Sequence, residues 1–164
     1  MGCMGEYGMT EYYKEKLEAG LQYQDYIADK LRKEDPCMIF IPYTSRKSQV
    51  EKGESASGIE VKHDMRFSET GNLYIEVAEK SKPEMPSYTK SGIFRDDNTF
   101  LYLIGNYEQA FLFSKDQLKN VYRDKTKYEA RGIVERKTPT SIGFTIPINK
   151  ALNGICIKHY KFKE

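Results

Sequence analysis

From Gly58 the chain alternates apolar and polar residues without a break. Ile59, Val61 and His63 interleave with Glu60, Lys62 and Asp64; after a polar turn at 68–71, Leu73, Ile75 and Val77 interleave with Tyr74, Glu76, Ala78 and Lys80. A period of two fits an extended strand with one buried face. Two such runs around a turn predict a β-hairpin. Burial selects the register that puts both apolar sets together, because a slip of one residue would drive charges into the core. With the turn centred near residue 69, Lys62 falls opposite Glu76 and Asp64 opposite Tyr74.

That register gathers Glu60, Asp64, Glu76, Lys62 and Lys80 on one face. Crowded carboxylates repel unless a cation lies between them, and hard oxygen donors favour Mg²⁺ or Mn²⁺. A neighbouring lysine can position or deprotonate an attacking water, which is the chemistry of phosphodiester hydrolysis. The plainer reading is a solvent-facing strand with Glu76 paired to Lys62, an exposed pair of that kind contributing about 0.2 to 1 kcal/mol.

Ahead of these strands a helix is expected from Glu11 to Lys33, with Thr10 as N-cap. Leu17, Gly20, Leu21, Gln24, Ile27, Ala28 and Leu31 define its inward stripe. Gln24 sits mid-stripe, so its amide must meet a structural partner or a polar site. Asp35-Pro36 ends the helix, Cys37–Ile41 reads as a short strand, and the polar stretch 44–57 as a loop. Further strands are expected at Thr99–Ile104 and Gln109–Phe113, turning at Gly105-Asn106. Ser114 caps a helix to about Tyr122, 142–148 is extended, and 154–162 holds a closing strand. A Gly-rich tail at 1–9 and one domain over 10–164 complete the layout.

The length, 164 residues, with 39% hydrophobic content and 21 aromatic side chains (13 Tyr, 8 Phe), suits a folded domain rather than a disordered chain. The longest apolar runs, 37–42 and 100–105, fall far short of the ~20 residues of a membrane span. No secretory leader is expected. Cys3, Cys37 and Cys156 read as buried thiols of a reducing cytoplasm. No glycine pattern suits a nucleotide cofactor. Charge is uneven: residues 115–164 carry 12 Lys and Arg against 5 Asp and Glu, a net +7, leaving −5 for the first 114. Lys115, Lys119, Arg123, Lys125, Lys127, Arg131, Arg136 and Lys137, interleaved with Tyr122 and Tyr128, suit a phosphate backbone with ring stacking; the alternative is a solvated surface.

Glu60-Val-Lys-His-Asp64, Thr70-Gly-Asn-Leu-Tyr-Ile-Glu76 and Ser91-Gly-Ile93 resemble, over residues 18–113, a phage and prophage-type branch of the PD-(D/E)xK, or restriction-endonuclease-like, nucleases. The resemblance implies an α/β fold: a mixed central β-sheet flanked by helices, with an N-terminal helix and a hairpin carrying the acidic site. It implies Asp64 and Glu76 as ligands of Mg²⁺ or Mn²⁺ and Gln24 pointing at the site; the shared strand face adds Glu60 as an auxiliary ligand. The family's lysine belongs two residues beyond Glu76, where this chain has Ala78, so that role passes to Lys62 or Lys80. A second alignment takes Glu60-Val-Lys62 as the acid-x-lysine motif with Glu54 as first acid. The activity implied is metal-dependent hydrolysis of DNA, or DNA or protein binding by a silent relative. The partners expected are DNA and, as a homodimer, a second copy of the chain.

Overall fold

The computed structural model describes residues 11–124, 129 and 131–162. The expected tail, the Thr10 cap, Cys3, Lys125 and Lys127 lie outside the described residues. The molecule is mixed α/β, with two four-stranded sheets in place of the single central sheet expected.

The first helix, α1 (Glu11–Glu34), spans what its periodicity predicts but buries only the C-terminal part of the expected stripe, Ile27 and Leu31 with Ala28 beside them, together with Tyr23. Tyr23, Ile27 and Leu31 are fully buried, whereas Leu17 and Leu21 are 43% and 44% exposed. Only the second half of α1 lies on the sheet; residues 14–19 are exposed throughout. The helix end is tied down by Asp35, whose Oδ2 accepts from Lys158 Nζ at 2.6 Å and Tyr160 Oη at 2.9 Å.

Two local expectations fail next. Segment 37–41 forms no strand, with Ile39 and Ile41 exposed and Phe40 alone buried. The neighbouring strand β1 (Ile59–His63) offers it no ladder. Its outer amides already donate to side chains, Ile59 N to Ser55 Oγ at 2.9 Å and Val61 N to Glu54 Oε2 at 3.3 Å. Within the expected loop, α2 (Arg46–Lys52) forms because Ser45 Oγ accepts from Ser48 N at its N-terminus. No apolar stripe announces α2, and its Val50 stays exposed.

The alternating runs do form strands, β1 and β2 (Asn72–Glu79), but they do not pair with each other. β1 runs parallel to β4 (Leu101–Gly105), which turns into antiparallel β5 (Gln109–Ser114) and then pairs on to β8 (Lys158–Lys161). β2 lies in a second, antiparallel sheet, between β3 (Thr89–Lys90) and β7 (Ser141–Pro147), with β6 (Val134–Lys137) at its edge. The expected hairpin register is therefore replaced: Lys62 pairs with Ile104, Tyr74 with Thr145 and Glu76 with Gly143. The connection is a packed helical turn, α3 (Phe67–Thr70), ended by Gly71 at φ 69°. Phe67 is fully buried and meets the Phe111 ring edge-on at 5.8 Å, so burial of this one side chain carries the chain from one sheet to the other.

One core lies between the sheets: Leu73, Ile75, Val77, Phe144 and Ile146 face Tyr102, Ile104, Phe111 and Phe113. Leu118 and Val121 of α4 (Lys115–Arg123) pack into it, and Ser114 Oγ accepts from Gln117 N as the capping pattern predicts. On the far side of the first sheet, Ile59, Val61, Leu103 and Leu112 receive α1. Cys37 is exposed and Cys156 half-buried, correcting the expectation of buried thiols. Among the described residues no helix is long and apolar enough to cross a membrane.

Candidate functional site

Where the end of β1 meets the Tyr74 and Glu76 side chains of β2, a cleft of about 760 Å³ opens. Asp64, Glu76 and Lys62 all line it, so the two sheets bring together three of the five residues a hairpin was expected to gather. Its basic lining comes from separate parts of the chain: Lys16 of α1, Arg66 at the start of α3, and Arg136 and Lys137 of β6.

Asp64 follows the last residue of β1 and is held by the turn it initiates. Its Oδ1 accepts from Arg66 N at 2.9 Å and Phe67 N at 3.2 Å, and its Oδ2 from Tyr74 N at 3.3 Å. One carboxylate thus caps α3 and bridges to β2. Glu76 is gripped by hydroxyls, its Oε1 accepting from Ser91 Oγ at 2.8 Å and its Oε2 from Ser141 Oγ at 3.1 Å. A carboxylate has about four acceptor positions, so both acids keep capacity for a further partner.

Lys62 is the cation nearest this chemistry in sequence, and it is doubly engaged. Its Nζ lies 2.9 Å from Glu60 Oε1 and 3.2 Å from Glu54 Oε1. Burial works against its charge, but Glu60 and Glu54 outweigh that and hold Lys62 well above the usual lysine range. Of the two expected roles, a lysine held protonated suits positioning an anionic oxygen or the water rather than removing a proton. The expectation for Glu60 is corrected. Its side chain is 3% exposed and salt-bridged to Lys62, with Oε2 buried and unpartnered, and it does not line the cleft. Tyr102, beside Glu60 in the ladder, does line the cleft; burial and then Glu60 push its phenol far up, so it keeps its proton.

Other expected residues lie elsewhere. Lys80 Nζ sits 4.4 Å from the Tyr88 ring centre and borders a separate depression, not the cleft. Gln24 is half-buried and does not line the cleft; α1 contributes Lys16 there instead. Of the basic segment, Lys115 is sealed in an ion pair with Asp97 at 2.9 Å, and Lys119 pairs with Asp116 at 3.7 Å. Arg123 lies 5.9 Å from the Phe94 ring centre, and Arg131 does not line the cleft. Among the described members of the segment, Arg136 and Lys137 reach it.

His63 opens onto the cleft as well as onto α1. Its ring stacks on Tyr23 at 4.4 Å and meets Tyr107 edge-on at 5.2 Å, burial lowers its pKa, and Nε2 is buried without a partner. The residues that sequence reasoning missed are Tyr74, Ser91 and Ser141, which connect to Glu76 through hydroxyls. Ser91 stands in a quoted motif, but only tertiary pairing brings Ser141 beside β2.

Among the described residues no three His, Cys, Asp or Glu side chains group to hold a metal ion. Two carboxylates, Asp64 and Glu76, remain. That set suits Mg²⁺, which retains several waters and is commonly bound by one or two carboxylates together with substrate phosphates. Comparison with protein-family models, with curated proteins and with solved structures returns no match.

Proposed function

We propose that the chain hydrolyses phosphodiesters of nucleic acid in this cleft with the help of Mg²⁺ or Mn²⁺, as the resemblance to PD-(D/E)xK nucleases implies. The supporting observation is that two carboxylates, Asp64 at the end of β1 and Glu76 of β2, open onto one cleft whose other charged lining residues, Lys16, Lys62, Arg66, Arg136 and Lys137, are cationic. Lys16, Arg66, Arg136 and Lys137 offer charge to phosphate oxygens along the lining. Lys62, kept protonated, faces charge developing on phosphate rather than acting as base. Asp64 and Glu76 would hold the divalent ion, which when bound polarises the phosphate and lowers the pKa of its water.

A second reading, a silent protein that binds DNA in the same cleft, is favoured by two observations. Each oxygen of Asp64 and Glu76 already accepts a hydrogen bond from the protein, and Ala78 stands where the family carries its lysine. Incubation with plasmid and single-stranded DNA plus Mn²⁺ decides between them. Cleavage by the wild type that is lost in Asp64→Asn and Glu76→Gln supports hydrolysis. Salt-dependent binding with no cleavage in any divalent ion selects the silent binder, and cleavage surviving both substitutions rejects the site.

A further inference from the structure

We propose that Ser91, Ser141 and Tyr74 are positioning residues that fix the Glu76 carboxylate for cation binding; this rests on the reading of Asp64 and Glu76 just given. Ser141 has one hydroxyl proton and donates it to Glu76 Oε2. The 2.7 Å contact between Ser141 Oγ and Tyr74 Oη must then be donated by Tyr74. A one-way chain results: Tyr74 to Ser141 to Glu76, with Ser91 donating separately to Glu76 Oε1 at 2.8 Å. The two direct donors come from β7 and from the turn before Gly92, so each carboxylate oxygen is oriented from a different segment, with Tyr74 steering the Ser141 hydroxyl.

The backbone around Glu76 is shaped to admit these donors. The β2–β7 ladder slips between Glu76 and Ala78, a bulge of the kind that re-aims side chains. Gly92, at φ 49°, packs so closely on β2 that a Cβ there would overlap the Glu76 carbonyl. This approach brings Ser91 within reach, its amide donating to Val77 O at 3.1 Å. Across the ladder, a Cβ on Gly143 would overlap the Tyr74 ring, so the glycine leaves the gap through which Tyr74 reaches Ser141. Two acceptor positions on Glu76 are thereby filled with their directions set, and the remaining ones are left for a cation.

Hydroxyls that merely satisfied a half-buried acid would affect stability and nothing else. Groups that orient a metal ligand affect affinity, their loss typically lowering it about 10- to 100-fold. The test is Mn²⁺ binding by titration calorimetry on the full chain without DNA, with thermal unfolding measured in parallel. Glu76→Gln should abolish binding. Ser91→Ala and Ser141→Ala should each weaken it roughly 10- to 100-fold, and Ser141→Thr, which keeps the hydroxyl, should restore it. Unchanged Mn²⁺ affinity in both alanine variants, with lowered melting alone, overturns the positioning role while leaving Glu76 as a ligand. A wild-type chain that binds no Mn²⁺ overturns both the positioning role and the reading beneath it.

Discussion

Lys115 Nζ lies 2.9 Å from Asp97 Oδ1, with the two side chains only 4% and 1% exposed. The pair joins the start of α4 to the loop before β4, and Lys115 also donates to Arg95 O at 3.0 Å. Burial alone would raise Asp97, but hydrogen bonds from Lys115 and the Thr99 amide outweigh it and hold the carboxyl below its usual range. Removing one member of a buried pair strands the other, so Lys115→Ala should cost about 3 to 5 kcal/mol in chemical denaturation. Because the unfolded chain takes up the Asp97 proton first, this stability is complete above about pH 4 and is lost as pH falls through the lower folded-state value. Asp97→Asn should flatten that acid limb. DNA binding by a folded Lys115 variant should be unchanged, since the ammonium faces Asp97 rather than the cleft.

Lys62→Met removes the cation held between Glu54 and Glu60. Glu60, almost wholly buried, is then left without its counter-charge. The expected loss is about 1 to 3 kcal/mol, less than for a fully buried pair because the Lys62 side chain is 36% exposed, with Glu60→Gln in the same chain recovering part of it. Urea denaturation of the single and double variants measures the coupling.

Asp64 has a structural duty beside the proposed chemical one. Asp64→Ala deprives Arg66, Phe67 and Tyr74 of an acceptor and should cost about 1 to 2 kcal/mol, in the range of a lost helix cap. Asp64→Asn retains the Oδ1 acceptor and should cost less. Both should abolish Mn²⁺-dependent cleavage, so comparing melting with activity separates the two duties.

Arg136 and Lys137 stand at the edge of the second sheet and line the cleft. Each of Arg136→Ala and Lys137→Ala should lower the salt slope of DNA binding by about 0.7 to 0.9 if one phosphate contact is lost. Lys119→Ala, paired with Asp116 on α4, should leave the slope unchanged. Fluorescence anisotropy over a salt series reads this directly.

Acidification should act through histidine before it reaches carboxylates. Burial lowers His63, and burial together with Lys161 lowers His159. The unfolded chain therefore binds protons first as pH falls below about 6.5, and the fold loses stability from there down to the lower folded-state values. Melting temperature should fall between pH 7.5 and 5.5. His63→Phe, which keeps a ring against Tyr23, should flatten roughly half of that slope if the two histidines contribute alike.

Periodicity locates α1, β1 and β2, the Gly105-Asn106 turn locates β4 and β5, and the Ser114 cap locates α4, because each of those segments carries a local signal. What no local signal locates is the partner of β1. Alternation reports that a strand has two unlike faces, and a hairpin is only the cheapest way to satisfy that. Nothing local distinguishes a turn at 68–71 from a helical plug, since Phe67 declares itself only by what it packs against. Asp64, Glu76 and Lys62 were nevertheless found to share one cleft, because each comes to the same junction of the two sheets. Lys115 was misplaced for the opposite reason. A lysine following a cap serine looks solvated until Asp97, 18 residues earlier, is folded beneath it.

The stretch between Asp64 and Tyr74 is outwardly an ordinary surface loop, and such loops usually drift freely in length. Here its span is fixed at both ends, by the Asp64 carboxylate that receives the Tyr74 amide and by Phe67 seated between the layers. An extra residue at 65–71 would have to unseat that ring or part that bond. This short passage should therefore resist insertion in the way a packed element does rather than tolerate it as a surface loop would.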